Sequence, residues 1–574
     1  MHPLIEIVTS KLLAATHLAF PNLQLETVEV HPAREQFGHY QCNSALKLGE
    51  RLQKKPREIA GAIVDHIEEK DSFFSSVEVA GPGFINLTFS ASFLSAKLDE
   101  ALRDPRLGVV LPSKRERIVV EFSSPNIAKE MHVGHLRSTI IGDALARLFE
   151  FLGHDVIRLN HVGDWGTAFG MLIAYLQREK PNVFAGKEEP QLADLMQWYR
   201  ASKKRFDDDP EFKIRAREAV IKLQKGDKEV AKAWDMICNI SHKEFHEVYD
   251  ILNVKLIERG ESFYNPMLPK IVEDLQQKGL VTLSEGAKCV FHEGFRLPLM
   301  VQKSDGAFNY DTTDMAAMLH RIEEERADRI IIITDAGQRL HFDLIRLTCE
   351  KAGYLDPEKV QFDHVPFGVV LGADGKKFRT RSGETERLID LLYAGIREAK
   401  KILVDRDTNL PQKEMDALAE LLGIDAIKYA DLSCNRISDY VFSYERMLRF
   451  EGNTAAFILY SYVRINGIKR KIGRIDIDEI LSKEKIRLEH PSEIQLGLHL
   501  LRFAETLYAV ENELFPHYLT DYLYALAQKF NTFFRDCRVE GSMEQNRRLL
   551  LCEVTARTME TGLHILGLQT TEKM

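Results

Sequence analysis

The stretch that decides the fold is Ile118-Val-Val-Glu-Phe122, followed by a loop and then by His132-Val-Gly-His135. A short, largely apolar run of this kind is typical of a strand buried on both faces of a parallel sheet. Beyond the loop, apolar residues recur at helical spacing at Leu136, Ile140, Ala144, Leu145, Leu148 and Leu152. The order of strand, loop and helix predicts the opening of a parallel sheet whose first helix begins at the two histidines.

Three later segments predict further strands of the same buried kind. They are Val156–Asn160, Arg329–Thr334 and Phe367–Leu371. The residues between about 175 and 290 are charged and helical in pattern, without strong strands until Cys289, so we expect them to form an insertion that splits the sheet. The predicted fold class is therefore α/β, a Rossmann-type parallel sheet with an insertion.

The rest of the chain predicts further domains. Residues 1–110 mix helical patterns with a short alternating strand, Phe84–Phe89, and we expect a small α+β domain there. The sheet and its insertion would occupy 111–390. A helical connecting region is expected over 391–450 and an all-α helical bundle over 451–574.

The composition limits the classes of protein that fit. A chain of 574 residues with 45% hydrophobic residues buries several cores, and a net charge of −9 argues against nonspecific coating of nucleic acid. The seven cysteines form no C-x-x-C pair, which fits neither a zinc ribbon nor a disulfide framework. The N-terminus resembles no secretion signal and no segment has the apolar length of a membrane span, so we expect a cytoplasmic protein that contacts no membrane.

The pair of histidines suggests the chemistry. At the start of a helix, His132 and His135 can meet the phosphates of ATP together with backbone amides, and Gly134 allows a bound ring to approach closely. Such a site would stabilise the charge that develops at the α-phosphate when a carboxylate attacks it, so the residues favour adenylyl transfer. The alternative is a pair of helix-start histidines without a catalytic role.

The surrounding residues carry a resemblance to a known family. They are the runs Glu121–Asp143, His161–Thr167, Asp335–Arg339 and Glu451–Ala455, with Gly38–Gln41 and Val79–Ile85 near the N-terminus. Together they resemble arginyl-tRNA synthetases of class I, over essentially the whole chain. The resemblance implies ATP-dependent activation of L-arginine and transfer of the arginyl group to the terminal adenosine of tRNA(Arg). It also implies Mg²⁺ carried by ATP, tRNA contacts by the N-terminal domain, an anticodon-binding C-terminal bundle and a monomer.

The resemblance also implies residues for the amino acid. Glu121, Tyr310 and Asp314 would hold the guanidinium, and Asn126 and Gln338 would hold the α-groups. Recognition of a guanidinium requires charge-assisted hydrogen bonds that compensate for its desolvation. The alternative for Asp314 is a solvated helix acid, but the apolar residues after it predict a buried helix.

The second signature of class I synthetases, Lys-Met-Ser-Lys-Ser, is absent from the sequence. Its counterpart is Gly375–Gly383, a basic stretch flanked by glycines that suits a phosphate-gripping loop. Within it Lys377, Arg379 and Arg381 are predicted ATP contacts. The alternative for Gly375–Gly383 is a solvated basic loop without a catalytic role. The resemblance implies that Lys129, just before the histidines, supplies the missing positive charge in catalysis; the alternative for Lys129 is an exposed loop lysine.

Two further points concern RNA and metal. The helix from Phe457, with aromatic residues and the basic cluster Lys469–Lys471, suits an RNA loop held by stacking and phosphate contacts. His242 and His246 have helical spacing, but without a third ligand we predict no metal site there. Two other functions fit parts of the chain: a cofactor-making adenylyltransferase and a catalytically silent RNA-binding paralogue.

Overall fold

The structure is a computed structural model that describes residues 2–372, 374–376, 378, 387–406, 410–473 and 475–574. It divides into two compact units. The described residues of Met1–Pro112, Arg449–His564 and Gln569–Met574 form the first, called here the terminal unit. Those of Ser113–Leu448 form the second, the sheet unit, to which Ile565–Leu568 also belong.

The N-terminal part of the terminal unit is an α+β arrangement. Its elements are α1 (Leu4–Ala19), β1 (Val30–Pro32), β2 (Tyr40–Cys42), α2 (Ser44–Leu52), α3 (Pro56–Asp65), α4 (Lys70–Phe73), β3 (Phe74–Ala80), β4 (Phe84–Phe89) and α5 (Ala91–Arg103). The strands form an antiparallel sheet in the order β1-β2-β4-β3. The strand predicted at Phe84–Phe89 is confirmed, and every second side chain along it is buried.

The sheet unit alternates strands and helices. In chain order its elements are β5 (Arg117–Glu121), α6 (Val133–Leu152), β6 (Asp155–Asn160), α7 (Thr167–Glu179), α8 (Pro181–Phe184), α9 (Leu192–Asp208), α10 (Pro210–Gln224), α11 (Lys228–Ile251), β7 (Ile257–Glu258), α12 (Leu268–Gln277), β8 (Thr282–Ser284), β9 (Ala287–Val290), β10 (Leu299–Gln302), α13 (Tyr310–Glu323), β11 (Arg329–Asp335), α14 (Arg339–Lys351), β12 (Gln361–Phe367), β13 (Val370–Leu371), α15 (Leu388–Asp405), α16 (Gln412–Leu432), β14 (Tyr440–Val441) and α17 (Tyr444–Met447).

The central sheet of this unit is parallel, in the order β12-β11-β5-β6-β7. The predicted strands at β5, β6 and β11 are confirmed. The strand predicted at Phe367–Leu371 is wrong as a single element, because the sheet strand β12 ends at Phe367 and Val370–Leu371 pair with Tyr440–Val441 instead. One apolar run therefore serves two sheets, a division that apolar character alone does not reveal.

The middle of α6 packs closely against Phe122, the residue that follows β5. A side-chain carbon at Gly142 would come within 2.1 Å of Phe122, so only glycine permits this approach. The carboxyl ends of β5, β6 and β11 share one edge of the sheet, where ligands of open parallel sheets bind. The N-terminus of α6 lies at the same edge.

The insertion is mostly helical, as predicted, and spans α8 to α12. The strand signal at Cys289 corresponds to β9, but two features were not predicted. Residues Ile257–Glu258 return to the central sheet as β7, and β9 pairs with β8 and β10 in a small antiparallel sheet. Both involve strands of two to four residues, too short for their periodicity to be recognised.

The C-terminal part of the terminal unit is helical. Its elements are α18 (Ala455–Ile472), α19 (Ile477–Lys483), α20 (Pro491–Leu500), α21 (Phe503–Glu513), α22 (His517–Asp536) and α23 (Gln545–Ile565). The predicted helical character of this region is confirmed. None of the helices in the described part of the chain combines the length and apolar character needed to span a bilayer.

Candidate active site

The two histidines occupy the first turn of α6 and fix each other's rings. The backbone N–H of Gly134 donates to Nδ1 of His132 (3.0 Å), and the backbone N–H of His132 donates to Nδ1 of His135 (3.0 Å). The ring centroids are 4.1 Å apart. Because each Nδ1 accepts a hydrogen bond, the proton of each neutral ring resides on Nε2. Both rings can therefore donate from Nε2 to a ligand.

The surroundings keep these rings neutral. Burial, and then the charge of Lys129, lowers the pKa of His132. Burial, the neighbouring His132 and Lys129 lower the pKa of His135 to about 3. At neutral pH the site therefore presents two uncharged donors beside the free amides of a helix N-terminus, an arrangement suited to a phosphate.

Lys129 is exposed in the loop before α6. Its Nζ lies 5.8 Å from the ring centroid of Tyr199 on α9, in the insertion. The influence of Lys129 on both histidine pKa values places its charge near the rings. The other predicted phosphate contacts, Lys377, Arg379 and Arg381, lie outside the described residues.

A second cluster forms around Asp314 on α13. The Nε2 of His341 lies 2.6 Å from Oδ2 of Asp314, and its Nδ1 lies 3.1 Å from Oδ1 of Asp311. The ring of Tyr310 is 5.2 Å from that of His341. Tyr310 and Asp314 lie four residues apart on α13 and both approach His341. The predicted burial of the helix is confirmed, since Met315 through Met318 are inaccessible to solvent.

The histidine of this cluster is charged, whereas His132 and His135 are neutral. Burial alone would lower the pKa of His341, but its hydrogen bonds to Asp311 and Asp314 outweigh burial and raise this pKa to about 9. Burial raises the pKa of Asp314, but the hydrogen bond and charge of His341 outweigh it and hold the pKa below its usual value. His341 is thus a cation between two carboxylates.

The other predicted arginine contacts lie in different environments. Glu121 is buried and forms an ion pair with the fully buried Arg321, so a cation of the chain itself already engages this carboxylate. Asn126 is exposed, and its backbone pairs with Gly163. Gln338 is exposed at the end of β11, with Nε2 3.5 Å from Oδ2 of Asp335. The structure brings Tyr310 and Asp314 together, and it leaves the substrate role of Glu121 a prediction.

Two acidic-site residues escaped the sequence prediction. Burial, followed by the charges of Asp314 and Asp164, raises the pKa of Glu261 to about 8, which places its carboxyl near both. His161 is buried, its Nε2 is 3.7 Å from Oδ1 of Asp314, and its Nδ1 has no hydrogen-bond partner among the described residues. The sequence did carry a signal for His161, which begins the run His161–Thr167 and follows β6 at the edge where a ligand binds. It carried none for Glu261, because β7 is too short to be recognised.

His242 and His246 meet a carboxylate in the structure. Glu258 lies 2.6 Å from His242 and 3.8 Å from His246. Among the residues that the structure describes, no group of three or more His, Cys, Asp or Glu is arranged to hold a metal ion.

A basic and aromatic cavity of about 430 Å³ lies between α18 and α22. The guanidinium of Arg464 is 4.9 Å from the ring centroid of Tyr460 and 5.0 Å from that of Phe534, and both rings are partly exposed. Lys471 also lines the cavity, where its Nζ is 4.0 Å from Oε2 of Glu540, and Lys469 is engaged by Glu553 at 2.5 Å. The basic cluster predicted from sequence is thus divided between the cavity and an internal ion pair.

Comparison with family models covers most of the chain. The catalytic domain of class I tRNA synthetases for arginine matches residues 97–444. The N-terminal domain of arginyl-tRNA synthetases matches residues 4–89, and the DALR anticodon-binding domain matches residues 458–574.

Curated relatives agree with these models. The arginine–tRNA ligase of Protochlamydia amoebophila is 58% identical over the full length of both chains. The chain belongs to the arginyl-tRNA synthetases. The arginine–tRNA ligase of Chlamydia abortus is 53% identical over 97% of each chain. The crystal structure of arginyl-tRNA synthetase from Plasmodium falciparum superposes with a TM-score of 0.90 at 36% identity, covering both chains fully.

Family membership determines the reaction. The enzyme activates L-arginine with ATP and transfers the arginyl group to tRNA(Arg) for protein synthesis. The predicted family, fold class and activity are confirmed. A cofactor-making adenylyltransferase is excluded, because the models that match the N-terminal and catalytic domains are both those of arginyl-tRNA synthetases.

Proposed function

We propose that ATP binds with its phosphates at the N-terminus of α6 and that arginine binds with its guanidinium at Asp314. The observation that carries this assignment is the pair of opposite environments at one sheet edge. Neutral donors, His132 and His135, suit an anion, and the acidic cluster of Asp314 and Glu261 suits a cation. With Tyr310 and Glu121 at the guanidinium, and Asn126 and Gln338 at the α-groups, the carboxylate of arginine would face the α-phosphate.

In this arrangement, adenylate formation requires mainly that the reacting groups and the donors be correctly positioned. As the arginine carboxylate attacks, negative charge grows on the α-phosphate and the departing pyrophosphate. Donation from Nε2 of His132 and His135 and the charge of Lys129 would stabilise it, since preorganised donors act strongly at a site that excludes water. Gly134 keeps the approach open, and Lys377, Arg379 and Arg381 would grip the triphosphate from the basic loop.

Other features follow from the family. Mg²⁺ would arrive on the ATP phosphates, because Mg²⁺ is usually bound through substrate phosphates with few protein ligands. The arginyl group would pass to the 2′-hydroxyl of the terminal adenosine. Activation would require bound tRNA, which completes the site by induced fit. We expect a monomer that works in the cytoplasm.

The RNA contact that the geometry favours is the cavity between α18 and α22. Exposed rings and a guanidinium held between them can stack on unpaired bases, and Lys471 can meet a phosphate. We propose that it reads the anticodon loop. The domain over residues 1–110 would contact the core of the tRNA.

A pyrophosphate-exchange assay with each amino acid, with and without tRNA, tests the assignment. Exchange should occur with arginine and only when tRNA(Arg) is present. Exchange with arginine in the absence of tRNA would contradict the induced-fit step, and no exchange under any condition would indicate a silent paralogue.

The RNA site has its own test. The double variant Arg464→Ala/Lys471→Ala should weaken tRNA binding and make it less dependent on salt, by about one unit of slope per lost phosphate contact. The exposed Lys413→Ala on α16 is the matched control. An unchanged tRNA affinity would exclude this cavity.

A further inference from the structure

The four residues Ile565–Leu568 belong to the sheet unit, although α23, of which Ile565 is the last residue, lies otherwise in the terminal unit. We call them the tail. Its apolar side chains are fully buried, at Ile565, Leu566 and Leu568. This buried segment, with a glycine between two leucines, packs specifically against its neighbours.

Lys428 on α16 holds the tail. Its ammonium is buried and donates to the carbonyl of Gly567 at 2.6 Å and to that of Leu252, just after α11, at 2.7 Å. Burial lowers the pKa of Lys428, which Asp143 and Asp425 counteract. A buried ammonium persists only where hydrogen bonds and nearby charges compensate for lost water, so the two carbonyls and the lysine require each other.

The third member of the junction is Asp143, which lies in the middle of α6. It is fully buried and meets Arg147 at 2.7 Å and Arg158 at 2.5 Å. Gly567 has φ +74°, and a side-chain carbon there would lie 2.7 Å from Oδ2 of Asp143 and 3.2 Å from Nζ of Lys428. The backbone of the tail is therefore in direct contact with the helix that begins at the catalytic histidines, and only glycine fits.

We propose that Lys428 and Gly567 are positioning residues for arginine activation: the tail, held by Lys428, sets the placement of α6 and so of its N-terminal histidines. The inference rests on the proposed role of His132 and His135. Since the tail continues α23 of the DALR domain, it is a covalent route by which the state of the RNA-binding helices reaches the activation site. The residues touch no substrate and act through α6.

The variants Gly567→Ala and Lys428→Met test the proposal. The first inserts a carbon into the junction, and the second removes the donor at similar length. The rate of tRNA-dependent pyrophosphate exchange at saturating substrates should fall roughly 5- to 150-fold, the usual range of coupling between sites. The tRNA dissociation constant and the KM for arginine and ATP should stay within about twofold. Lys428→Arg, which can still donate to both carbonyls, should recover most of the rate.

Two control variants complete the experiment. Lys573→Ala, an exposed change beyond the tail, should behave as wild type. His135→Ala should lose exchange whatever the tail does; normal exchange in that variant would refute the proposed role of the histidines rather than the tail. The tail proposal is overturned if Gly567→Ala and Lys428→Met exchange normally. It is also overturned if their tRNA affinity and KM values deteriorate in step with the rate, since that pattern indicates general loss of structure.

Discussion

His135 and His341 lie at the same edge of one sheet and have opposite charge states. At α6, burial and then the neighbouring His132 and Lys129 lower the pKa of His135 to about 3. At α13 two aspartates raise the pKa of His341 to about 9. The difference teaches that the partners of an imidazole, rather than the residue type, decide whether it serves an anion or balances acids.

In the proposed assignment, the opposite charge states of His135 and His341 suit different substrate groups, a phosphate and a guanidinium. A neutral donor pair attracts phosphate without forming a permanent ion pair, so its contribution can grow as charge develops in the transition state. The acidic cluster has Asp311 and Asp314 around the cation of His341 and Glu261 near Asp314, and in the proposed assignment it would bind a positive group already in the ground state. Substitutions in the histidine pair should therefore lower the rate of arginine activation, and substitutions in the acidic cluster should lower the affinity for arginine.

The largest effect is expected at the phosphate end. His135→Ala should lower the rate of arginine activation roughly 100- to 1,000-fold, because one preorganised donor is lost, while the fold survives. Pyrophosphate exchange at saturating arginine measures it, with the exposed His31→Ala as control. A variant with near-normal exchange would place the chemistry elsewhere.

At the arginine end, Asp314→Asn keeps the shape but removes the charge. Arginine affinity should fall by roughly 2 kcal/mol, about 30-fold, and ATP affinity should hardly change. Because the side chain of citrulline is neutral at the same end, the ratio of arginine affinity to citrulline affinity should decrease. Equilibrium binding of arginine, citrulline and ATP measures these effects, with the exposed Asp208→Asn as control. Equal losses for arginine and ATP would instead indicate a structural role.

The variant Lys129→Ala tests the phosphate end further, because the charge of Lys129 lies near both histidines. The activation rate should fall roughly tenfold with little change in arginine affinity, as expected for an interaction made mainly in the transition state. Lys377→Ala should be milder. Rapid kinetics of tRNA-dependent exchange would distinguish the two variants. If the Lys129 variant exchanged normally and the Lys377 variant were severely impaired, the basic loop would supply the charge instead.

The smallest effect concerns pH. Before arginine binds, Glu261, with a pKa of about 8, is largely protonated at neutral pH. The guanidinium prefers the ionised carboxylate, so arginine affinity should rise as pH increases through about 8, by up to roughly tenfold. Binding measured between about pH 6.5 and 8.5 should show this slope, and Glu261→Gln should flatten it. The same slope in both proteins would exclude Glu261 as the titrating group.

The amino-acid sequence by itself determined the strand at β5, the helix α6, the parallel sheet and the family. These depend on local features: apolar runs, helical spacing, and motifs whose residues are close together in the chain. The common face of Tyr310 and Asp314 was predictable for the same reason, since residues four apart on a helix are neighbours.

Tertiary structure decided the charge states and the partners. Nothing near His341 in the chain indicates that Asp311 and Asp314 surround it, and nothing near Glu121 indicates that Arg321 neutralises it. Glu261 and the junction of Lys428, Gly567 and Asp143 likewise join segments far apart in sequence. A pKa depends on burial and on charges a few ångströms away, and only the folded chain brings those groups together.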